Sequence, residues 1–435
     1  MIHQVKADKT LLVNGPASVR LVSGEAEILG APLNISEKIV IRNGKRTPFY
    51  IKKETSFDIT HGKDAPFEEA DGDTIPNSWR KAAEEALALG KPSVALVMGA
   101  VDSGKTSLCT FLANNALRAK RTVGVIDADL GQSDIGPPTT VGLAYIHKPI
   151  RDLFYAKAEE VHFIGLTSPG GAESRVVTCI NDFKKRAFQE AKDFLVINTD
   201  GWVEGEDAVQ YKVMLVEKVV PSIVVGIEGE KELSPILSRL SKPSALTIET
   251  STAVKKRDRD QRKALRELGY KKHLRNSKVE AFPLSWIKIE GIHSSPSLFL
   301  TNERLRKIEE ALGVRTVFCE ETVEAILVFL KRNQSVDFEK LYKAKEVFKK
   351  KVEVMHQGDE RGLLVGLHDA ENEFLGLGVI SSIDYRRKVM KVSTPVTREV
   401  ATIKVGGIKL DNEFREVGTA ATLWAVFQST LEGQS

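Results

Sequence analysis

Cysteine is scarce in this sequence of 435 residues. The three cysteines, Cys109, Cys179 and Cys319, are far apart and odd in number, which argues against a disulfide framework and against a zinc site. Long apolar runs are also lacking, since none approaches the roughly 18 residues that a helix needs to cross a bilayer. The start, MIHQVKADKT, is polar and has no signal-peptide core. We therefore expect a cytoplasmic protein without a membrane partner.

A large excess of charge of one sign is missing as well. Lys and Arg together number 63 and Asp and Glu 59, which gives a formal net charge of +4. Bulk charge of this size does not indicate a nucleic-acid binder, so any basic surface must be local. The apolar share of 42% is enough to bury real cores. At about 150 residues per domain, the length predicts two or three domains.

The pattern along the chain divides it into three segments. Residues 1–78 contain short apolar or alternating runs separated by Gly, Asn and Pro, and predict an N-terminal β-sandwich-like domain. Residues 79–285 alternate apolar strands with helical stretches, as a mostly parallel sheet covered on both faces does. Residues 286–435 predict a C-terminal α+β domain that includes a helical stretch from residue 302 to 312 and beyond. The strands predicted in the middle segment are 94–98, 122–129, 194–199, 222–227 and 245–250.

A glycine-rich loop gives the strongest signal in the sequence. GAVDSGKT at 99–106 matches G-x-x-x-x-G-K-[ST] and lies between an apolar strand and a helix that runs to about residue 120. In such a loop, backbone N–H groups and the helix N-terminus bind phosphate oxygens. Lys105 would reach the β- and γ-phosphates, and the Thr106 hydroxyl would bind Mg²⁺. The predicted nucleotide-binding residues are Gly99, Ala100, Val101, Asp102, Ser103, Gly104, Lys105, Thr106 and Ser107.

The fold predicted from these patterns is α/β: a P-loop NTPase core with a mostly parallel sheet, flanked by small N-terminal and C-terminal β-domains.

The strand after the P-loop helix ends in DADLGQ at 127–132. Acids at the carboxyl end of such a strand can reach Mg²⁺ or an attacking hydroxyl. If the strand continues, Asp127 and Asp129 point to one face, so either could be the key carboxylate.

A tryptophan follows the next apolar strand, in NTDGW at 198–202. Trp202 can stack there on a nucleobase, or it can be a packed, half-buried side chain. Switch GTPases recognise guanine with an N-K-x-D loop, and the nearest segment here, INTDGW, lacks the lysine. A switch GTPase is therefore not expected.

One segment, 254–278, is strongly basic, with twelve basic residues against three acids. A solvated helix is the ordinary interpretation of such a run. In a P-loop phosphotransferase, however, an arginine-bearing lid can neutralise charge in the transition state.

The turn GLTSPGG at 165–171 can present N–H and hydroxyl groups to a phosphate, or it can be a plain loop.

Taken in order, GAVDSGKTS, DADLGQS, GLTSPGG, NTDGW and an Arg-rich segment resemble the polynucleotide 5′-hydroxyl kinases, and in particular their archaeal branch. SGEAEILGAPL at 23–33 resembles the N-terminal β-domain of that family, and GLGVISSIDYRRKVMKVSTP at 376–395 resembles its C-terminal β-domain. The resemblance thus covers nearly the whole chain. It implies ATP and Mg²⁺ as cofactors and, as substrate, RNA or DNA with a 5′-hydroxyl end.

The resemblance also implies roles for individual residues. Asp129 takes the place of the Walker B acid near the attacking hydroxyl, and with Thr106 it would bind the metal. The lid arginines, five apart, fit Arg257 and Arg262, although Arg259 and Arg266 lie in the same stretch. The catalytic residues implied are Lys105, Asp129, Arg257 and Arg262. The substrate-binding residues implied are Gln132, Thr167, Ser168, Thr199, Gly201 and Trp202. Eukaryotic members often have His where Leu166 stands, so a contact from that side chain is absent here.

Three functions stay open from the sequence. The favoured one is transfer of the γ-phosphate of ATP to a polynucleotide 5′-hydroxyl. The second is a catalytically silent, ATP-bound scaffold of an RNA-processing complex, and the third is a kinase for a small metabolite, which would not need Trp202. The presence of Lys105, Thr106, Asp129 and an Arg-rich lid favours the enzyme.

Overall fold

The computed structural model describes residues 1–241, 244–290, 300–321, 325–384 and 387–419. The chain forms two compact units, Met1–Gly269 and Tyr270–Ser435. Domain boundaries near residues 78 and 285 stay a prediction, and the end of the predicted third domain, from residue 420, lies outside the described residues. Across these ranges, no helix combines the length and the apolar character that a membrane crossing requires.

The first unit begins with one seven-stranded antiparallel sheet. Its strands pair in the order β4-β3-β6-β2-β7, with β1 on β6 and β5 on β3. Alternating side chains of the long strands are buried, for example Phe49 and Ile51, as the alternating sequence predicts. Sandwich-like packing within this segment stays a prediction. The strands are β1 (Ile2–Val5), β2 (Lys9–Asn14), β3 (Ala17–Ile28), β4 (Ala31–Pro32), β5 (Lys38–Ile41), β6 (Arg46–His61) and β7 (Phe67–Asp71).

A second seven-stranded sheet forms the centre of this unit, in the order β11-β10-β9-β12-β8-β13-β14. Five neighbouring strands, from β9 to β14 in that order, run parallel, and β10 runs antiparallel to both of its neighbours, β9 and β11. These strands are β8 (Ser93–Gly99), β9 (Val123–Ala128), β10 (Thr140–Ile146), β11 (Ala158–Phe163), β12 (Phe194–Thr199), β13 (Ile223–Ile227) and β14 (Ala245–Ile248). Strands β8, β9, β12 and β13 are buried along their whole length, as strands of a parallel sheet covered on both faces are.

Helices cover both faces of the central sheet. One buried cluster joins the sheet to α1, α2 and the N-terminal sheet, and a second joins its other face to α3 and α4. The helices are α1 (Asn77–Ala88), α2 (Lys105–Arg118), α3 (Glu173–Gln189), α4 (Glu206–Val219), α5 (Ser234–Leu237) and α6 (Arg259–His273). The predicted α/β fold with a P-loop core is confirmed.

In the described part of the second unit, two sheets lie with the helices α7 and α8. Its seven-stranded sheet has the order β15-β22-β21-β20-β23-β16, with β24 on β23, and its three-stranded sheet the order β17-β18-β19. Helix α7 (Asn302–Leu312) lies where the sequence predicts it, and α8 (Phe338–Phe348) shares its core. The strands are β15 (Lys278–Pro283), β16 (Lys288–Glu290), β17 (Phe318–Glu321), β18 (Ala325–Leu330), β19 (Lys351–His356), β20 (Leu363–His368), β21 (Phe374–Asp384), β22 (Val389–Thr394), β23 (Thr402–Leu410) and β24 (Glu416–Thr419).

Candidate active site

The carboxyl ends of β8, β9 and β12 open into a cavity of about 580 Å³. The strands end together because their register aligns Asn198 with Asp127 and with Val97. Ligands of open α/β sheets bind at this edge. The predicted site residues that line the cavity are Ala100, Val101, Asp102, Gly104, Lys105, Thr106, Ser107, Asp129, Gln132, Thr167, Ser168, Gly201, Trp202, Arg257 and Arg262. Gly99, Ser103 and Thr199 are buried beside it.

The P-loop is built to surround an anion. Gly104 has a φ of +101°, and a Cβ there would lie 2.9 Å from Val254 Cγ2, so glycine is required by conformation and by space. The Ser103 hydroxyl is buried and has no hydrogen-bond partner among the described residues. Because buried polar groups are normally bonded, a phosphate oxygen in the loop would supply the acceptor that Ser103 lacks.

Lys105 lies in the first turn of α2 and is only 5% exposed. Its Nζ donates to the carbonyl oxygen of Ala100 at 2.7 Å. Burial lowers the pKa of the Lys105 ammonium, and the carboxylate of Asp129 opposes that shift. An ammonium removed from water in this way gains more from a neighbouring phosphate charge than one at the surface does.

Strand β9 ends at Ala128, so Asp127 and Asp129 have different surroundings. Asp127 is fully buried, and its carboxylate accepts hydrogen bonds from Asn198 Nδ2 at 2.9 Å and from the N–H of Asp134 at 2.7 Å. Burial, together with the charges of Asp134 and Asp129, raises the pKa of Asp127 to about 6. Asp127 therefore lies behind the cavity wall.

Asp129 is half-buried and lines the cavity. Its Oδ1 accepts hydrogen bonds from the N–H groups of Gly131 at 3.1 Å and of Gln132 at 3.0 Å. Burial raises the pKa of Asp129, while the Lys105 ammonium lowers it. Oδ2 accepts no hydrogen bond from the part of the chain that the structure describes, so this oxygen is available to a ligand.

The oxygen donors at this edge suit Mg²⁺. The Thr106 hydroxyl and the Asp129 carboxylate line the same cavity. Asn198 Nδ2 lies 3.5 Å from Thr106 Oγ1 and also donates to Asp127, so it connects the two side chains. Within the described ranges, no cluster of three or more His, Cys, Asp or Glu residues could hold a metal by itself. Mg²⁺ does not require such a cluster, because one or two protein oxygens plus substrate phosphates and water are its usual ligands.

The NTDGW segment lies directly against the P-loop. A Cβ on Gly201 would lie 2.8 Å from the backbone nitrogen of Val101, so a larger residue would push the two loops apart. The Thr199 hydroxyl donates to the carbonyl oxygen of Val97 at 2.9 Å and is buried below the cavity. Trp202 lines the cavity, as Thr167 and Ser168 do, and a Cβ on Gly170 of their turn would lie 3.8 Å from Trp202 Cη2. Thr199 thus connects the segment to the sheet and Gly201 packs against the P-loop, whereas Trp202 lines the ligand space.

Both predicted lid arginines contact the P-loop acid Asp102. Arg257 donates to Asp102 from Nε at 2.8 Å and also from Nη2, and its backbone N–H donates at 3.0 Å. Arg262 Nη1 lies 3.4 Å from the same carboxylate and also bonds the carbonyl oxygen of Arg257. Arg266 lines the cavity too, whereas Arg259 does not. The five-residue spacing therefore brings the proposed pair together.

Several site residues were not predicted from the sequence. Lys45 and Arg46, at the start of β6, and Trp79 of α1 also line the cavity. Buried Asp200 bonds Lys212, twelve residues farther along the chain. No motif or spacing signals these contacts, because they join segments that meet only in the folded chain.

Comparison with known proteins agrees with this geometry. Residues 99–276 match the family model described as mRNA cleavage and polyadenylation factor CLP1 P-loop. A polyribonucleotide 5′-hydroxyl-kinase of Pyrococcus abyssi is 29% identical, and the match covers 79% of this chain and 95% of that protein. A second polyribonucleotide 5′-hydroxyl-kinase, of Methanocaldococcus jannaschii, is 26% identical, and the match covers 75% of this chain and 90% of that protein. In a solved Clp1p–Pcf11p complex, one chain has the same fold, with a TM-score of 0.65 at 13% identity, covering 94% of this chain and 98% of that one.

Proposed function

We propose that this chain, which is similar to the archaeal polyribonucleotide 5′-hydroxyl-kinases and matches the CLP1 P-loop family model, transfers the γ-phosphate of ATP to the 5′-hydroxyl ends of RNA and DNA. It is an enzyme of the kinase class that uses a nucleotide. The observation that carries the proposal is the placement of Lys105, Asp129 and Trp202 around one cavity. Their chemistry suits a phosphate, a hydroxyl proton and a nucleobase, respectively.

In the mechanism we propose, the P-loop holds the phosphates of ATP and Lys105 balances their charge. Asp129 Oδ2 orients the 5′-hydroxyl in line with the γ-phosphorus and takes its proton as the new O–P bond forms and the bond to the leaving β-phosphate oxygen breaks. Mg²⁺, which the Thr106 hydroxyl and Asp129 would hold, supplies further positive charge at the phosphates. Arg257 and Arg262 neutralise charge on the transferring group.

The test is transfer of radiolabelled γ-phosphate from ATP to 5′-hydroxyl RNA and DNA oligonucleotides. We expect both to be labelled and the same oligonucleotides with a 5′-phosphate to stay unlabelled. Labelling of free nucleosides instead would favour a metabolite kinase. ATP binding without transfer to any 5′-hydroxyl end would favour the scaffold.

We also propose a cytoplasmic location. Cys109, Cys179 and Cys319 form no disulfide, as is usual where glutathione keeps cysteines reduced. Mass spectrometry of the protein from cells, after alkylation, should find all three cysteines modified as thiols.

Trp202→Ala should mainly raise the KM for the oligonucleotide. Stacking holds the terminal base equally in the ground state and the transition state, and it contributes about 1–3 kcal/mol per base. Steady-state kinetics with the oligonucleotide varied at saturating ATP would measure the effect. Trp286→Ala is the matched control, because Trp286 is 81% exposed and does not line the cavity. A large fall in kcat with an unchanged KM would contradict the role given to Trp202.

Arg262→Ala should instead lower kcat, by about 10²–10³-fold, because its charge acts as the phosphoryl group transfers. Arg257→Ala should behave in the same way. Arg259→Ala is the matched control, since Arg259 is exposed and outside the cavity. If Arg262→Ala changed only the oligonucleotide KM and its salt dependence, the segment would be a nucleic-acid docking patch rather than a catalytic lid.

A further inference from the structure

A buried ion pair lies in the cavity wall, between Asp200, which lines the cavity, and Lys212 behind it. Lys212 is fully buried and Asp200 is 4% exposed. Lys212 Nζ donates to Asp200 Oδ2 at 2.9 Å and to the Asp200 carbonyl oxygen at 3.0 Å. Removing two charges from water is costly, and an apolar pair of similar volume often stabilises a core as well or better. The contacts of this carboxylate suggest a task other than stability.

The same carboxylate binds both the backbone of Trp202 and the residue behind its ring. Asp200 Oδ1 accepts a hydrogen bond from the Trp202 N–H at 2.9 Å, an Asx turn that fixes the backbone locally. Asp200 Oδ2 accepts one from the Tyr211 hydroxyl at 3.2 Å. The Tyr211 ring stacks on the Trp202 indole, with 5.9 Å between centroids and an interplanar angle of 23°.

This arrangement leaves one face of the indole for a ligand. Tyr211 is 2% exposed and does not line the cavity, whereas Trp202 is half-buried and lines it. Tyr211 therefore covers one indole face, and a base in the cavity can reach the other. Lys212 Nζ lies 5.1 Å from the centre of the Tyr211 ring and makes a cation–π contact with it.

We propose that Asp200, Tyr211 and Lys212 are positioning residues that fix the indole of Trp202 in one orientation for stacking on the base of the terminal nucleotide. The inference rests on the proposed function, because it assigns Trp202 to the polynucleotide. A ring that is already oriented loses little conformational freedom when a base stacks on it, so the binding is tighter than on a mobile ring.

The first test is a double-mutant cycle between Tyr211 and Trp202. Binding of a 5′-hydroxyl oligonucleotide with a 3′ fluorophore is measured by anisotropy without ATP. Tyr211→Leu should weaken binding about tenfold in the wild-type background, and by less than about twofold when Trp202→Ala is also present. Tyr211→Phe, which keeps the ring, should lose less. Equal losses from Tyr211→Leu in the two backgrounds would overturn the proposal.

A second test separates the hydrogen-bond acceptor from the charge. Asp200→Asn with Lys212→Met keeps an acceptor for the Trp202 N–H, whereas Asp200→Ala with Lys212→Met does not, and neither leaves a buried charge unpaired. With native near-ultraviolet circular dichroism, the first double variant should bind within about twofold of wild type and the second several-fold more weakly. Equal binding by two folded double variants would overturn the proposal. If either variant fails to fold, the Tyr211 cycle decides.

Binding and phosphate transfer are measured separately, so the two hypotheses can fail independently. A chain that shows the predicted binding pattern but transfers no phosphate would overturn the proposed function and support the positioning role. A chain that transfers phosphate but shows equal losses from Tyr211→Leu in both backgrounds would overturn the positioning role alone.

Discussion

Lys105→Ala is expected to remove most phosphoryl transfer, with a fall in kcat of about 10²–10³-fold or more. The Lys105 ammonium is almost fully buried in the cavity wall, where a fixed positive charge acts on phosphates with little screening by water. Transfer of labelled phosphate to a 5′-hydroxyl oligonucleotide measures the loss.

Folding should change little in this variant, because the hydrogen bond of the ammonium goes to the loop carbonyl of Ala100. The thermal unfolding midpoint should therefore stay within a few degrees of wild type. Lys81→Ala, on the exposed face of α1, is the control for loss of one lysine and should keep full activity. Wild-type turnover in Lys105→Ala would show that the P-loop assignment is wrong.

Asp129→Asn should lower kcat by about 10²–10⁴-fold while ATP binding is kept, because an amide has the shape of a carboxylate but cannot take a proton. An asparagine Oδ1 can still accept the N–H bonds of Gly131 and Gln132, so the loop should hold its conformation. Calorimetric titration with ATP and single-turnover transfer separate the two effects.

Asp127→Asn is the matched control for this experiment. It should cost less turnover, because Asp127 lies behind the cavity wall. It should cost about 1–3 kcal/mol of stability instead, since one carboxylate oxygen becomes an NH₂ that would meet the buried N–H donor of either Asn198 or Asp134. If Asp127→Asn lowered kcat more than Asp129→Asn, the catalytic role would shift two residues upstream.

These two aspartates show where sequence reasoning ends. The strand itself was predictable, since continuous apolar residues indicate a strand buried on both faces. The sequence alone left Asp127 and Asp129 on one face because it assumed that the strand continued. In the structure it ends at Ala128, and the loop beyond it turns its N–H groups back onto Asp127. A one-residue difference in where the strand ends separates a cavity acid from a buried one.

Contacts between distant segments were the other part that the sequence could not supply. Hydrophobic periodicity predicts α7 closely, because its cause is local. The bond of Arg257 to Asp102 joins residues 155 positions apart, and the position of Lys45 in the cavity wall depends on how the first sheet packs on the central one. Such pairings are determined by tertiary structure, for which a single sequence contains no spacing rule.

In the mechanism we propose, the Arg257–Asp102 pair would couple the lid to the nucleotide through shared hydrogen-bond donors. The Nε and Nη2 donors that Arg257 uses on Asp102 are those of its two-pronged edge, and an arginine recognises phosphate through the same edge. A γ-phosphate that takes these donors must displace the carboxylate, so nucleotide entry exchanges one anion for another rather than adding a new attraction. Coupling between two ligands is reciprocal. A ligand that separates Arg257 from Asp102 would therefore raise the affinity for the triphosphate by the same factor by which the triphosphate raises the affinity for that ligand. Once the γ-phosphate has been transferred, Asp102 can bind Arg257 again, and this would favour release of the product.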